Sequence, residues 1–342
     1  MAGTRQHFIP RMLLQGFADA SGRVVVLRRN GEAFPTSIKN IGLERHFYGR
    51  PGRGTPDESI TNEEQRIAPV LKRLRDSPVG PVDSTRAAVL FAHFAPRTQS
   101  MRSFMHASGH LALDGIERTY SDSANIIRAV REYVAENIQS LMDDILREIR
   151  ERNGFEAMVA FVRSPQFSML RESLPELVVQ HLGSSGTDAI KSTAGELLGY
   201  LRPRMANFVE SAHHRVALEQ PTPRKWVERL RTFCFEVIEV TDDLVLGDSV
   251  AWGIQEPDDV VPLYSIDDEL ISVVMPICRT RLLVGSRSDR QTPPPALCND
   301  AATAASESFI VAHPELNNIG RYLTAFGSAR ARNLDRLTKS DR

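Results

Sequence analysis

The sequence predicts an α+β fold that is mostly helical, with a small antiparallel sheet formed by N-terminal and C-terminal strands. Three observations predict it. A short β-branched run lies near the start, helical periodicity fills the middle, and alternating apolar segments cluster after residue 221. A lone hairpin is marginal in water, so the two ends are expected to share one sheet. That pairing would bring residues near His7 close to those near Asp248 and Asn299.

Taken in order, RVVVLR at 23–28 is a strand, and Asn30-Gly31 is a hairpin turn after it. Residues 50–57, RPGRGTPD, combine Pro, Gly and charge as an exposed loop. The run Thr61-Asn-Glu-Glu64 has the pattern of a capping box and should start a helix that ends near Asp76, ahead of Pro78. A linker over 77–83 leads to a second helix from Ser84. In it Ala87, Phe91, Phe94, Thr98, Met101 and Met105 form a buriable stripe, with a kink expected at Pro96. Helical patterns continue over 123–152, 155–163, 169–181 and 187–219, with breaks at Gly154, Pro165 and 184–186. After Pro221-Thr-Pro223, FCFEVIEV at 233–240 alternates as a strand, turns at Asp242-Asp243 and returns over 244–246. Two more strands are expected at 270–277 and 281–284, and two closing helices at 300–311 and 315–332. The domain organisation that follows is a core domain in two parts, 1–110 and 221–335, a helical insertion at 111–220 and a tail at 336–342.

Composition is that of an ordinary globular chain, 42% hydrophobic and 25% charged over 342 residues. A net charge of -1 neither demands nor excludes a nucleic-acid partner. Lysine occurs only at Lys39, Lys72, Lys191, Lys225 and Lys339, so arginine carries most of the positive charge. That bias suits bidentate anion binding, and a GC-rich genome produces it equally well. Three cysteines without C-x-x-C spacing argue against a disulfide framework or a cysteine-built zinc site. The first residues carry no apolar leader, and the longest apolar runs, 87–92 and 273–278, are too short to span a bilayer. A cytoplasmic protein with no membrane partner is expected.

The run His7-Phe-Ile-Pro10-Arg11-Met-Leu-Leu14-Gln-Gly-Phe17 resembles the opening signature of an uncharacterised bacterial family, a domain of unknown function. The likeness extends to Glu64 in the first helix, to Arg97 and Arg102 in the next, to Gly247-Asp248, to Met275-Pro276 and to Asn299. Two positions depart from the pattern: Gln15 replaces a frequent basic residue, and Gly247 replaces a serine. The resemblance implies a shared fold and a shared pocket. It implies no reaction.

Within that set, His7 suits a general base or metal ligand, or a ring hydrogen bond that orients the Pro10 turn. Arg11 suits an anionic group or plain solvation, and His93 and Arg97, four apart, suit phosphate or a wet helix edge. Glu64 and Asp248 with His7 would offer oxygen and imidazole ligands to a divalent metal, unless Glu64 only pairs with Arg97. His106, His110 and Asp114 share helical spacing but lack the acid of H-E-x-x-H, and the His213-His214 pair is expected at the surface. No Walker loop, dinucleotide fingerprint or serine-hydrolase elbow is present. The expectation is a metal-dependent hydrolase of a phosphodiester or nucleotide, a nuclease-like effector of bacterial stress or defence. Its catalytic set is His7, Glu64, Arg97 and Asp248, and Arg11, Arg102 and Asn299 bind substrate. The alternative is a non-catalytic ligand-binding or protein-interaction module in which the same groups form a structural polar network. Oligomeric state and metal identity are left open.

Overall fold

The computed structural model describes residues 5–50, 54–256, 259–264, 269–287, 295–329 and 331–332, with backbone alone at 217 and 295–297. The expected tail at 336–342 lies outside the described residues. The chain divides into two units, one made of 1–108 with 206–342 and the other of 109–205.

Among the described residues the first unit holds three antiparallel sheets. A two-stranded pair joins β1 (Arg5–His7) to β4 (Leu43–Arg45). A four-stranded sheet has the order β3 (Ala33–Ser37), β2 (Arg23–Arg28), β12 (Phe309–Ala312), β7 (Leu246–Gly247). The N- and C-terminal strands therefore do meet, with Val26 opposite Val311, and Gly31 takes the positive φ that the β2–β3 turn requires. The remaining C-terminal strands do not join that sheet. They form a six-stranded one, ordered β5 (Gly80–Val82), β6 (Cys234–Glu239), β11 (Arg281–Ser286), β10 (Ser272–Cys278), β8 (Trp252–Glu256), β9 (Asp259–Pro262). β5 comes from the stretch expected to be a linker, and β8 and β9 were not legible as strands.

Two expectations at the C-terminal end are corrected. Residues 244–246 do not return along β6. The amides of Val240 and Leu244 bond to Thr280 and Arg279, which ties this segment to the β10–β11 turn and releases β7 to β12. Residues 300–311 are not one helix: α11 (Pro295–Ala305) stops, and β12 begins at Phe309. The carboxylate of Asp248 accepts from the amides of Glu307, Ser308 and Phe309 at 2.8, 2.6 and 3.2 Å, so these amides bond to a side chain instead of to helical carbonyls. A 3-10 stretch, Ile319–Ala325, stands where the last helix was expected.

The helices of this unit start and stop at prolines and caps. α1 (Arg11–Leu14) follows Pro10 and buries Leu13 and Leu14. α2 (Pro56–Asp76) starts at Pro56 and not at Thr61, because proline fits the first helical turn and Asp57 and Glu58 complement its dipole. Thr61 sits inside the helix with its hydroxyl on the carbonyl of Asp57. α3 (Ser84–Phe94) is capped by Asp83, which accepts from the amide of Arg86 at 2.9 Å. Pro96 breaks the next stretch rather than kinking it. A 3-10 turn, Ala95–Arg97, intervenes, and α4 (Gln99–Ser121) starts afresh with Thr98 Oγ1 accepting from the amide of Met101.

The second unit is helical: the later part of α4, then α5 (Ser123–Glu136), α6 (Ile138–Asn153), α7 (Phe155–Val162) and α8 (Pro165–Leu201). Gly154, at φ 89°, separates α6 from α7, and Gly183, at φ 57°, kinks α8. Chain then returns to the first unit through α9 (Met205–Glu219) and α10 (Arg224–Leu230). Among the described residues no helix is long and apolar enough to cross a membrane.

Candidate functional site

In β1 successive side chains face opposite ways. Gln6 lies opposite Glu44 in the pairing and is buried. Its Oε1 accepts from the amide of Tyr48 at 2.7 Å, and its Nε2 donates to the carbonyl of Gly49 at 3.0 Å. These two bonds hold Phe47 and Tyr48 in the core. His7 takes the other face, where its Nε2 accepts from Arg11 Nε at 3.0 Å. Burial first, then the Arg11 charge, push the His7 ring down to about 4, so it is neutral near pH 7.

On the Gln6 face a polar cluster is gathered from four more segments. Arg97, 3% exposed, donates through Nε to the carbonyl of His93 at 2.7 Å and through Nη2 to Glu64 Oε1 at 3.2 Å. Its guanidinium lies 6.0 Å from the Tyr48 ring centre. Arg102 lies 3.7 Å over the Phe47 ring, pairs with Glu44 at 3.2 Å and donates to the carbonyl of Phe47 at 2.5 Å. His213, 5% exposed, is nearly parallel to Tyr48 at 5.9 Å and meets Phe47 edge-on at 5.1 Å. It is not on the surface as expected, because α9 packs that ring against Phe47 and Tyr48.

Five buried atoms of this cluster have no hydrogen-bond partner among the described residues: Arg97 Nη1, Arg102 Nε, Tyr48 Oη and both ring nitrogens of His213. An unsatisfied buried polar group costs roughly 1–3 kcal/mol, and charged groups more. Burial shifts the titrating members accordingly. It raises the Tyr48 phenol and the Glu64 carboxyl, the latter against the pull of Arg97. Burial, then Arg102, His214 and Arg97, hold His213 down to about 3. Asp57 is raised by burial, with a Gln6 hydrogen bond opposing. Each unpaired guanidinium and phenol atom is a donor, and a neutral imidazole adds one N–H. Donors beside two guanidinium groups suit an oxyanion.

The structure thus brings Glu64, Arg97 and Arg102 into one cluster and pairs His7 with Arg11 on the opposite face of β1. Asp248 and Asn299 have other partners. Asp248 is fully buried and bonded to three amides, and burial pushes it up to about 6 against their pull. Asn299 accepts from the amide of Val245 at 2.8 Å and donates to Asp243 O and Tyr322 Oη at 2.8 and 2.9 Å. Phe8 and Phe309 rings lie 6.3 Å apart, so the chain ends approach through apolar contacts. His93 is buried, with Nδ1 3.1 Å from both Pro221 O and Thr222 Oγ1. On α4, Asp114 pairs with Arg202 at 2.8 Å. Among the described residues no group of three or more His, Cys, Asp or Glu side chains is placed to hold a metal ion.

Gln6, Tyr48 and His213 were missed from the sequence. Gln6 was one residue from the signature histidine, and period-2 alternation was the signal that could have found it. Nothing local marks Tyr48 or His213.

This architecture defines an α+β protein whose sheet-bearing unit holds a cluster of buried Arg97, His213 and Tyr48 with half-buried Arg102 and Glu64. The chain belongs to the family described as Protein of unknown function (DUF4238), which matches residues 5–294. The match includes every member of the cluster and stops short of Asn299 and β12. No curated protein and no solved structure matches the chain.

Proposed function

We propose that this protein binds a small anionic ligand, a phosphodiester or nucleotide, at the cluster of Tyr48, Arg97, Arg102 and His213. The observation that carries this reading is the set of buried donors without hydrogen-bond partners among the described residues. Arginine forks and a phenol supply hydrogen bonds to phosphoryl oxygens, and Glu64, 28% exposed, connects the cluster to solvent. Gln6, Asp248 and Asn299 act in this reading as supports of the backbone, and His7 with Arg11 as the brace of the Pro10 turn.

Tyr48→Phe tests it cleanly, since it removes one unpaired hydroxyl and little else. Without ligand the variant melts higher than wild type, because a buried unsatisfied group is gone. Calorimetric titration with nucleotides and phosphate esters shows wild-type binding, weakened about tenfold in the variant. A lower melting temperature together with unchanged affinity would sink the proposal.

Hydrolysis of the bound ester is a second reading, favoured by the burial-raised carboxyl of Glu64 beside Arg97. Under it, Glu64→Gln retains ester binding and loses turnover.

A further inference from the structure

We propose that this site accepts one net negative charge: its ligand is a phosphodiester monoanion, and a phosphate monoester dianion enters only together with a proton taken up on His213. The inference rests on the anion-binding reading of the same cluster and adds the charge of the ligand it selects.

The charge balance of the buried groups carries it. Arg97 and Arg102 bring two positive charges. Glu64, on Arg97 at 3.2 Å, offsets one of them. Glu44, on Arg102, is 40% exposed, and Asp57, hydrogen-bonded to Gln6, is only half-buried, so solvent screens both contributions. One positive charge is left uncompensated in the interior, and a phosphodiester, singly charged at all physiological pH values, cancels it. A dianion would leave a surplus negative charge in a desolvated site, which is costly.

His213 is placed to take the compensating proton. Facing it are Phe47 and Tyr48 from the segment after β4, Arg97 from the 3-10 turn and Arg102 from α4, with His214 beside it on α9. Glu64 and Asp57 of α2 act on the Tyr48 ring that lies parallel to it, while Glu210 lies 3.9 Å from His214. Burial first, and then the cationic groups acting directly on the ring, keep it neutral. Among the described residues neither ring nitrogen has a hydrogen-bond partner, so one N–H can donate to the ligand and the other nitrogen can accept a proton. A dianion beside it reverses the field that suppresses its protonation.

Titration calorimetry with dimethyl phosphate and methyl phosphate, in buffers of different ionisation enthalpy near pH 7.5, measures the proton directly. Dimethyl phosphate is expected to bind with no proton exchanged. Methyl phosphate is expected to take up close to one proton, with affinity rising about tenfold per unit fall in pH while the ester is dianionic. His213→Asn abolishes that uptake. Glu64→Gln, which deletes one negative charge and keeps the shape, lets methyl phosphate bind without a proton. Uptake that persists in His213→Asn, or wild-type methyl phosphate binding without uptake, overturns this inference and leaves the anion site standing. Binding of neither ester at roughly 10 mM overturns both readings.

Discussion

Position 247 carries glycine where the resemblance read from the sequence expects serine. A Cβ built on Gly247 would stand 2.0 Å from Ser306 Oγ and 2.8 Å from the carbonyl of Ala302. Ser306 is fully buried and its hydroxyl donates to that same carbonyl at 2.7 Å, so it occupies the space a side chain at 247 would need. Gly247→Ser should therefore lower stability by about 1–3 kcal/mol, the usual range for overpacking. Adding Ser306→Gly should recover part of the loss, as a urea-denaturation double-mutant cycle would register. Equal losses with and without the second substitution would show that Ser306 is not the obstacle. The adjacent Asp248 looked like a site carboxylate because it follows a strand at a turn. Its three amide bonds lie some sixty residues along the chain, where no local pattern could announce them.

Between α3 and α4 the chain makes its most consequential local choice. The apolar stripe from Ala87 to Met105 runs through Pro96 without interruption, and periodicity alone reads it as one kinked helix. The structure breaks it: proline lacks the amide that would continue the helical ladder, and although Ala95 keeps helical dihedrals the chain leaves helical geometry at Thr98, with ψ 157°. The break lets Arg97 hold the carbonyl of His93 with one nitrogen and Glu64 with another, while Arg102 starts from a newly capped helix. Thr98→Ala removes that cap and should cost about 1 kcal/mol in thermal or chemical denaturation. Affinity for phosphate esters should fall with it, because α4 carries Arg102. Thr98→Ser, which keeps the hydroxyl, should restore both. Strand identity followed the same logic elsewhere: β2, β6, β10 and β11 announced themselves by β-branched alternation. β8 has Gly253 inside it, where a Cβ would meet Leu270 at 2.4 Å, and that close packing is invisible to propensity.

For the whole molecule, three histidines held below their ordinary value set a pH dependence. His7 lies at about 4, His213 at about 3, and His93 is lowered well below the usual range, each chiefly by burial. The unfolded chain binds protons at these rings near the ordinary value of about 6.5. Stability is thus complete above that pH and falls as pH drops below it, because only the unfolded state takes up the protons. His213 alone accounts for on the order of 3 kcal/mol between about pH 6.5 and 4.5. Asp248 and Glu64, raised by burial, act in the opposite direction as acid is added. Chemical denaturation of wild type and His213→Asn across this range separates the two signs: the variant should lose less stability on acidification. An equal loss in both would show that His213 does not contribute.

By itself the sequence determined the fold class and the sharing of one antiparallel sheet by N-terminal and C-terminal strands. These were legible because apolar periodicity, β-branched runs, prolines and caps act within a few residues of themselves. Only the tertiary structure decided that Gln6, and not His7, faces the cluster, that His213 lies buried against Tyr48, and that Asp248 stops a helix. Each of those depends on which segments meet across long stretches of chain, and on which polar atoms are left without a partner once they do.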